Sequence, residues 1–518
     1  MRDSVESVDS RATDRALIVL ACGAVCLFLF VAIRYSGQTI LEAHGFRQAQ
    51  TALTTYWLMQ NGFSFAYETP VAGHPWSIPL ELPIFQVVVA AVTTWFGGNL
   101  DANGRLIAAA FLVACIAPLW SIVRQLGMDR RVWLILVVLM FSGPTYLFWG
   151  RAFLIETTAL FFALTHVALL LHVVRDPGKS AAGTGLAAVA GILAGTQKAT
   201  IGLPALAFGA ALYAFMHWRS RQPMTIPRAV TFLVAVALPL TATFLWNAYT
   251  DAVKGQNALA AQAVVTNAAW TWNFGTLAQR LQPHTWKNLL WDRGLYLNGA
   301  GIIGAGLIAG VLIYPTASYL RAYVMVALLL WIMPIMVFTN LFMVHDYYQV
   351  GIVVFPLLAI AIAIGAWLPE LVRARGLTVG LVILCASLNL WQFRAKELPT
   401  MTGDFNRNVV TLGEAVRQRT SPDSPIMVFG LDWSSELPYY AKRRAFAVPP
   451  WFNARQLAWT EPERFLDGVK PSAIVVCPGE GAPSEAEVAD LRAKDSSLSE
   501  VDVVGCRVLF RQPQGSHH

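Results

Sequence analysis

Apolar residues in this chain gather into long unbroken runs, at 16–33, 79–96, 106–123, 132–149, 157–174, 183–195, 200–216, 229–248, 299–314, 322–338, 350–368 and 377–390. A helix needs about 20 mainly apolar residues to cross the hydrocarbon core, with roughly 17 as the lower limit, so most of these runs predict transmembrane helices. Lys and Arg beside a span favour the cytoplasmic side. The clusters Arg124/Arg130/Arg131, Arg175/Lys179, Arg219/Arg221/Arg228, Arg321 and Arg373/Arg375 alternate with loops poorer in basic residues if every run from 106 onward crosses once. With Arg2, Arg11 and Arg15 also inside, run 16–33 leads out and run 106–123 returns. Run 79–96 is then left over. It carries Pro79, Glu81 and Pro83 and ends at Gly97-Gly98, which suits an interfacial or re-entrant helix better than a span. The expectation is about eleven crossings and an exterior C-terminus.

From about residue 392 the pattern changes. Short apolar stretches at 426–429, 473–477 and 508–510 alternate with helix-like patterns at 409–416 and 484–491, which predicts a small α/β domain. The predicted organisation is therefore an all-α polytopic membrane domain over residues 1–392, with interfacial helices in a first exterior loop at 34–105, followed by a soluble periplasmic α/β domain over 393–514. The last four residues, 515–518, read Gly-Ser-His-His and are taken as a tag remnant. The first run follows a mixed-charge segment and lacks a small-residue cleavage site, so it is expected to be a retained span.

Composition agrees with lipid as the solvent: 56% of residues are hydrophobic, 13% are charged and the mean hydropathy is +0.51. Soluble domains are about a quarter charged. The net charge of +7 is spread as short clusters between apolar runs, so topology explains it and a nucleic-acid partner is not expected. Of six cysteines, Cys22, Cys26, Cys115 and Cys385 sit in apolar runs and Cys477 and Cys506 in the polar tail, with no metal-ligand spacing. No metal and no cofactor is expected. A disulfide between Cys477 and Cys506 is one option in an oxidising exterior setting, and two free thiols are the other.

Titratable residues at the edge of a lipid-facing protein are costly unless they line a wet cavity. The segment 42–51 sets Glu42, His44, Arg47 and Gln48 directly after the first run; an ordinary polar loop is the alternative. The segment 72–81 holds His74 and Trp76 among prolines, either as part of a site or as a headgroup-level anchor. Arg151 and Glu156 flank the start of a span, where a structural ion pair would serve as well. Lys198 occupies the shortest connection in the chain, to line a pocket or to snorkel. His345, Asp346, Tyr347 and Tyr348 precede the run at 350–368, either gripping a phosphate or sugar or forming an aromatic belt.

Transfer of a sugar from a polyprenyl phosphate to a hydroxyl needs a base for the acceptor proton, cations for the departing phosphate and a lateral entry for the lipid. Glu42, His44 and Glu156 are candidate bases or orienting acids, and Arg47, His74, Arg105, Arg151 and Lys198 candidate phosphate partners. Gln48, Trp76, His345, Asp346, Tyr347 and Tyr348 are candidate substrate contacts. At Glu42 to Arg47, His74-Pro75, Arg105, Glu156 and the Thr-Gln-Lys context of Lys198, the chain resembles the bacterial protein O-mannosyltransferase and aminoarabinose transferase superfamily. That resemblance implies the GT-C fold, a polyprenyl-phosphate sugar donor, inversion by direct displacement and no metal, with Lys198 and Arg47 holding the donor phosphate and Glu156 orienting the acceptor or the loop. Relatives usually carry an aspartate three residues before the loop arginine, where this chain has His44, so the base is Glu42 or His44. The acceptor would be a lipid, glycan or protein at the periplasmic face of a bacterial inner membrane. A transporter or glycolipid flippase is the rival class, expected to show mid-membrane polar residues and repeat symmetry. A non-catalytic assembly partner is a third.

Overall fold

The computed structural model describes residues 2–175, 180–220, 223–314, 318–371, 375–403 and 407–512. Lys179, Arg221 and Arg373 of the basic clusters, and the expected tag remnant at 515–518, lie outside them. Among the described residues, seven helices are long and apolar enough to cross a membrane: Arg11–Arg34, Leu100–Gln125, Glu156–Val174, Ala199–Trp218, Ile226–Lys254, Ser318–Val337 and one that begins at Gly376. Four shorter apolar helices among the described residues, Ile84–Phe96, Ala181–Gln197, Ile302–Ile313 and Val354–Trp367, fall on the predicted runs at 79–96, 183–195, 299–314 and 350–368. The chain is a polytopic helical membrane protein with a small C-terminal sheet. Ile84–Phe96 starts only after Pro83; its 13 residues reach about 20 Å, short of a core roughly 30 Å thick.

The chain divides into two compact units. One comprises residues 1–38, 102–246 and 270–402, the other 39–101, 247–269 and 403–518. In the first unit the run at 132–149 is two helices. Arg130–Ser142 is capped by Asp129, which accepts from the Arg131 amide, and Pro144–Trp149 begins at a proline that needs no helical hydrogen bond. The break at Gly143 is filled by Asn298, fully buried, whose Oδ1 accepts from Thr145 N at 2.9 Å and whose Nδ2 donates to Thr145 Oγ1 at 2.9 Å.

Glu156–Arg175, Ala181–Gln197 and Ala199–Ser220 pack tightly because small residues face their neighbours. A Cβ on Gly191 would lie 2.7 Å from the His166 ring, and one on Gly209 would lie 2.8 Å from Leu170 Cδ2. Close backbone approach of this kind drives helix association in lipid, where apolar burial supplies no force.

In the second unit, strands β1 (Ile426–Phe429), β2 (Ala445–Val448), β3 (Ala473–Val476), β4 (Leu498–Val503) and β5 (Cys506–Arg511) form a sheet in the order β2-β1-β3-β5-β4. The first three are parallel and buried at every position, as strands covered on both faces must be; β5 pairs antiparallel with β3 and β4. Cys477 and Cys506 are joined as a disulfide, linking the end of β3 to the start of β5. Segment 70–73 of the first loop covers the free edge of β2. Ala445 N donates to Pro70 O at 3.0 Å, Ala447 N to Val71 O at 2.8 Å and Gly73 N to Ala445 O at 3.1 Å.

The C-terminal residues from 403 therefore share a compact unit with the first loop. Helix Arg375–Gln392 runs on through Phe393–Glu397 and Leu398–Thr402 before that unit resumes.

Candidate functional site

Lys198 is the whole connection between Ala181–Gln197 and Ala199–Ser220. Its amide donates to Ala194 O, ending one helix, and its carbonyl accepts from Ile201 N and Gly202 N, starting the next. The side chain is thereby fixed at a buried corner. Nζ lies 2.7 Å from Glu156 Oε1, with the two side chains 9% and 1% exposed. Glu156 is the first residue of its helix, where a negative charge is favoured. Nζ also sits 4.1 Å from the centre of the Tyr348 ring and 5.5 Å from that of Tyr347, and His345 stacks on Tyr348 at 5.4 Å. Sequence positions 156, 198, 345, 347 and 348 thus form one cluster, a cation held between a carboxylate and aromatic faces.

The residues next to Glu156 and Lys198 in the chain carry polar atoms that the fold does not satisfy. Glu156 Oε2, Thr157 Oγ1, Thr158 Oγ1, both amide atoms of Gln197 and Thr200 Oγ1 are buried without a hydrogen-bond partner among the described residues. Native interiors rarely leave such groups unpaired, since each costs about 1–3 kcal/mol. Thr157, Thr158, Gln197 and Thr200 were not among the expected site residues. The available signal was their position beside Glu156 and Lys198 at the ends of apolar runs.

The turn carrying His345 and Asp346 is held by Arg293, whose Nη1 donates to Phe342 O at 2.7 Å and Nη2 to Met343 O at 3.0 Å. Burial lowers the Arg293 pKa, and the Asp346 carboxylate opposes that shift. Arg105 and Arg151 are fully buried. Arg105 Nη1 donates to Tyr35 O and Gln38 O, both at 2.9 Å, so it clamps the turn after the first helix. Arg151 lies over Phe148 at 5.6 Å and Tyr35 at 5.9 Å.

The second unit holds the first-loop candidates. His44 adopts the left-handed conformation (φ 44, ψ 41) at the N-cap of helix Gly45–Asn61, and its carbonyl accepts from Arg47 N and Gln48 N. That conformation is uncommon for a residue other than glycine. Glu42 is buried and His44 half-buried. Gln48 is buried, with Nε2 donating to Ala43 O at 2.8 Å. Arg47 donates through Nη2 to Glu81 Oε2 at 2.8 Å and through Nη1 to Gln50 at 2.5 Å, and Gln86 Nε2 donates to Glu81 Oε1 at 2.7 Å. Tyr67 fixes the backbone beneath Glu81: its hydroxyl donates to Glu81 O and accepts from Leu80 N, and burial, reinforced by the Glu81 charge, holds its pKa well above the ordinary value. Glu81, read from sequence only as part of a proline-rich segment, is the carboxylate at the centre of this network.

His74 is exposed, 3.6 Å through Nε2 from Asp467, and its ring lies 5.9 Å from Trp76. The segment bearing both is pinned by buried Asn257, whose Nδ2 lies 3.1 Å from each of Ala72 O, Gly73 O and Pro75 O. Among the described residues no group of three or more His, Cys, Asp or Glu is placed to hold a metal ion.

No protein-family model matches the sequence, and no curated protein does. Solved structures do. The chain is similar to ArnT from Cupriavidus metallidurans bound to undecaprenyl phosphate, at 14% identity and a TM-score of 0.60, over 96% of this chain and 99% of that one. It is similar to the archaeal oligosaccharyltransferase AglB from Archaeoglobus fulgidus in complex with an inhibitory peptide and a dolichol-phosphate, at 12% identity and a TM-score of 0.50, over 89% and 69% of the two chains. Arabinofuranosyltransferase AftD from Mycobacteria matches at 14% identity and a TM-score of 0.53, over 96% of this chain and 40% of that one. At this similarity the matches establish architecture: the chain has the GT-C fold that these three proteins share.

Proposed function

We propose that the protein is a membrane glycosyltransferase that moves a sugar from a polyprenyl-phosphate donor to an acceptor hydroxyl on a lipid, glycan or protein, at the periplasmic face of a bacterial inner membrane. The observation that supports it best is the buried Lys198–Glu156 pair against Tyr347 and Tyr348, with buried hydroxyls and an amide without partners at adjacent chain positions. A lysine in low dielectric binds a phosphate far more strongly than one in water. The unsatisfied donors and acceptors match a ligand rich in hydroxyls.

In this proposal the acceptor oxygen attacks the anomeric carbon as the bond from that carbon to the phosphate oxygen breaks, with inversion. The phosphate leaves with the bonding electron pair, and Lys198 and Arg47 stabilise its charge. The acceptor proton passes to Glu42 or His44. Glu156 holds Lys198 in place and presents its second oxygen to the acceptor or the donor sugar. His74, Arg105 and Arg151 support the phosphate side, and Gln48, Trp76, His345, Asp346, Tyr347 and Tyr348 contact the substrates. ArnT and AglB, whose solved structures hold undecaprenyl phosphate and a dolichol-phosphate respectively, share the architecture.

Turnover of radiolabelled polyprenyl-phosphate sugars by the purified protein in nanodiscs tests this, comparing wild type with Glu42→Gln, His44→Ala, Glu156→Gln and Lys198→Met. Activity in the wild type, lost in folded variants, is the expected result, and whichever of Glu42→Gln and His44→Ala abolishes it names the base. Wild-type inactivity across a broad donor and acceptor panel, with lipid movement in vesicles, replaces the proposal with a flippase.

A further inference from the structure

In the first unit, a groove of about 620 Å³ opens where helix Arg11–Arg34 meets the segments Leu100–Gln125 and Arg130–Ser142. Its walls include Ile18, Ala117, Trp120, Trp133 and Leu134, and Arg130 is the charged residue at its rim. The volume falls within the roughly 300–1,000 Å³ typical of small-molecule sites. Among helices that face hydrocarbon, the medium that fills an apolar slot is an acyl chain, since water has no partners there.

The groove is polar at one end. Arg130 is the first residue of its helix, and Leu134 lies one turn further in. On the neighbouring segment the wall runs from Trp120 back to Val113, about 10 Å at the helical rise. Trp120 and Trp133 pack at 5.0 Å, with Trp133 Nε1 donating to Ile116 O, a pair of amphipathic rings near the charged end. Arg130 and Arg131 both bind the one carboxylate of Asp14, with Asp129 capping the same helix, and the Arg130 side chain remains 55% exposed. Residues 11–15 and 124–131 together hold five arginines against two aspartates.

We propose that this groove binds one anionic diacyl phospholipid, its acyl chain between Trp120, Ala117 and Leu134 and its phosphate on Arg130. A zwitterionic lipid brings no net charge to match the excess of arginine, whereas an anionic headgroup does. The site is distinct from the Lys198–Glu156 cluster: helix Arg130–Ser142 and its continuation Pro144–Trp149 lead away from the groove to the turn that precedes Glu156, about 30 Å along the helices. The phosphate of the donor in the proposed reaction is therefore not the group on Arg130.

Native mass spectrometry of the delipidated full chain, titrated separately with phosphatidylglycerol, phosphatidylcholine and undecaprenyl phosphate, tests this. One retained phosphatidylglycerol is expected, bound about fivefold more weakly by Arg130→Gln and unchanged in Arg130→Lys. Ala117→Trp, which fills the slot from an exposed position, abolishes it. Asp14 keeps Arg131 as a partner in the Arg130 variants, so folding is retained. Equal retention of the two phospholipids, or retention unaffected by both Arg130→Gln and Ala117→Trp, overturns the proposal. Preferential retention of undecaprenyl phosphate that Ala117→Trp removes overturns it in favour of a polyprenyl occupant.

Discussion

Lys198 Nζ and Glu156 Oε1 lie 2.7 Å apart in a corner where both side chains are more than nine-tenths buried. Removing one member of a buried pair strands the other charge, which costs about 3–5 kcal/mol, whereas neutralising both at similar volume costs far less. Lys198→Met and Glu156→Gln alone should each lower the thermal midpoint in detergent micelles, and the double variant should recover much of that loss. Turnover should stay lost in all three. Recovery of activity along with stability in the double variant would make the pair structural.

The Arg47–Glu81 network makes a separate demand. Arg47 is bonded to Glu81, and Glu81 is held by Gln86 and, through its backbone, by Tyr67. Glu81→Gln keeps the shape and removes the charge that orients Arg47, so kcat/KM should fall about tenfold or more with a small change in the thermal midpoint. Gln86→Ala, one bond further out, should cost less. If Glu81→Gln turns over donor at the wild-type rate, Arg47 needs no orienting carboxylate.

Much of this was legible in the chain. Long apolar runs marked the membrane helices because lipid admits few alternatives to a helix, and proline and glycine around 79–98 marked one of the four that are short. Two strands escaped notice. Ala445–Val448 is half alanine and stops at Pro449-Pro450, and Leu498–Val503 carries Ser499, Glu500 and Asp502, so the strand signal of Phe446, Val448, Val501 and Val503 is diluted; pairing with neighbours decides both. Candidate site residues were visible as charges beside apolar runs. Glu81 and Asn257 were not singled out, because their roles arise from partners 34 and more than 180 positions away.

Asn257 illustrates the point in energetic terms. Its Nδ2 serves the three carbonyls of Ala72, Gly73 and Pro75, while its Oδ1 accepts from Leu259 N and Ala260 N. Asn257→Ala leaves buried backbone groups unpaired and should destabilise the second unit by about 2 kcal/mol or more. Asn257→Asp should be at least as damaging, since it sets a carboxylate oxygen against three carbonyl oxygens. Hydrogen exchange at 70–76 reads both, with faster exchange expected there than in β3. Unchanged protection in Asn257→Ala would show that pairing with β2 alone holds the segment.

Lys442 supplies a pH dependence whose sign is fixed. It follows helix Glu436–Ala441 in the left-handed conformation, with Nζ 4.0 Å from the Tyr439 ring and 4.6 Å from that of Tyr56. Burial pulls its pKa down from 10.5 to about 8, with the Asp101 carboxylate resisting and Arg417 assisting. Between these values the unfolded chain binds the proton and the folded chain does not, so stability rises with pH across that window and the penalty is fully present below it. The gain from about pH 8 to about pH 10.5 is at most roughly 3 kcal/mol. Thermal unfolding of the wild type and Lys442→Met at about pH 7.5, 9 and 10 checks it: the wild type should gain on the variant as pH rises, the variant being the more stable at the lowest value. A difference between the two that is constant with pH would mean that the amine keeps its proton throughout, held by the two aromatic faces and Asp101 rather than penalised by burial.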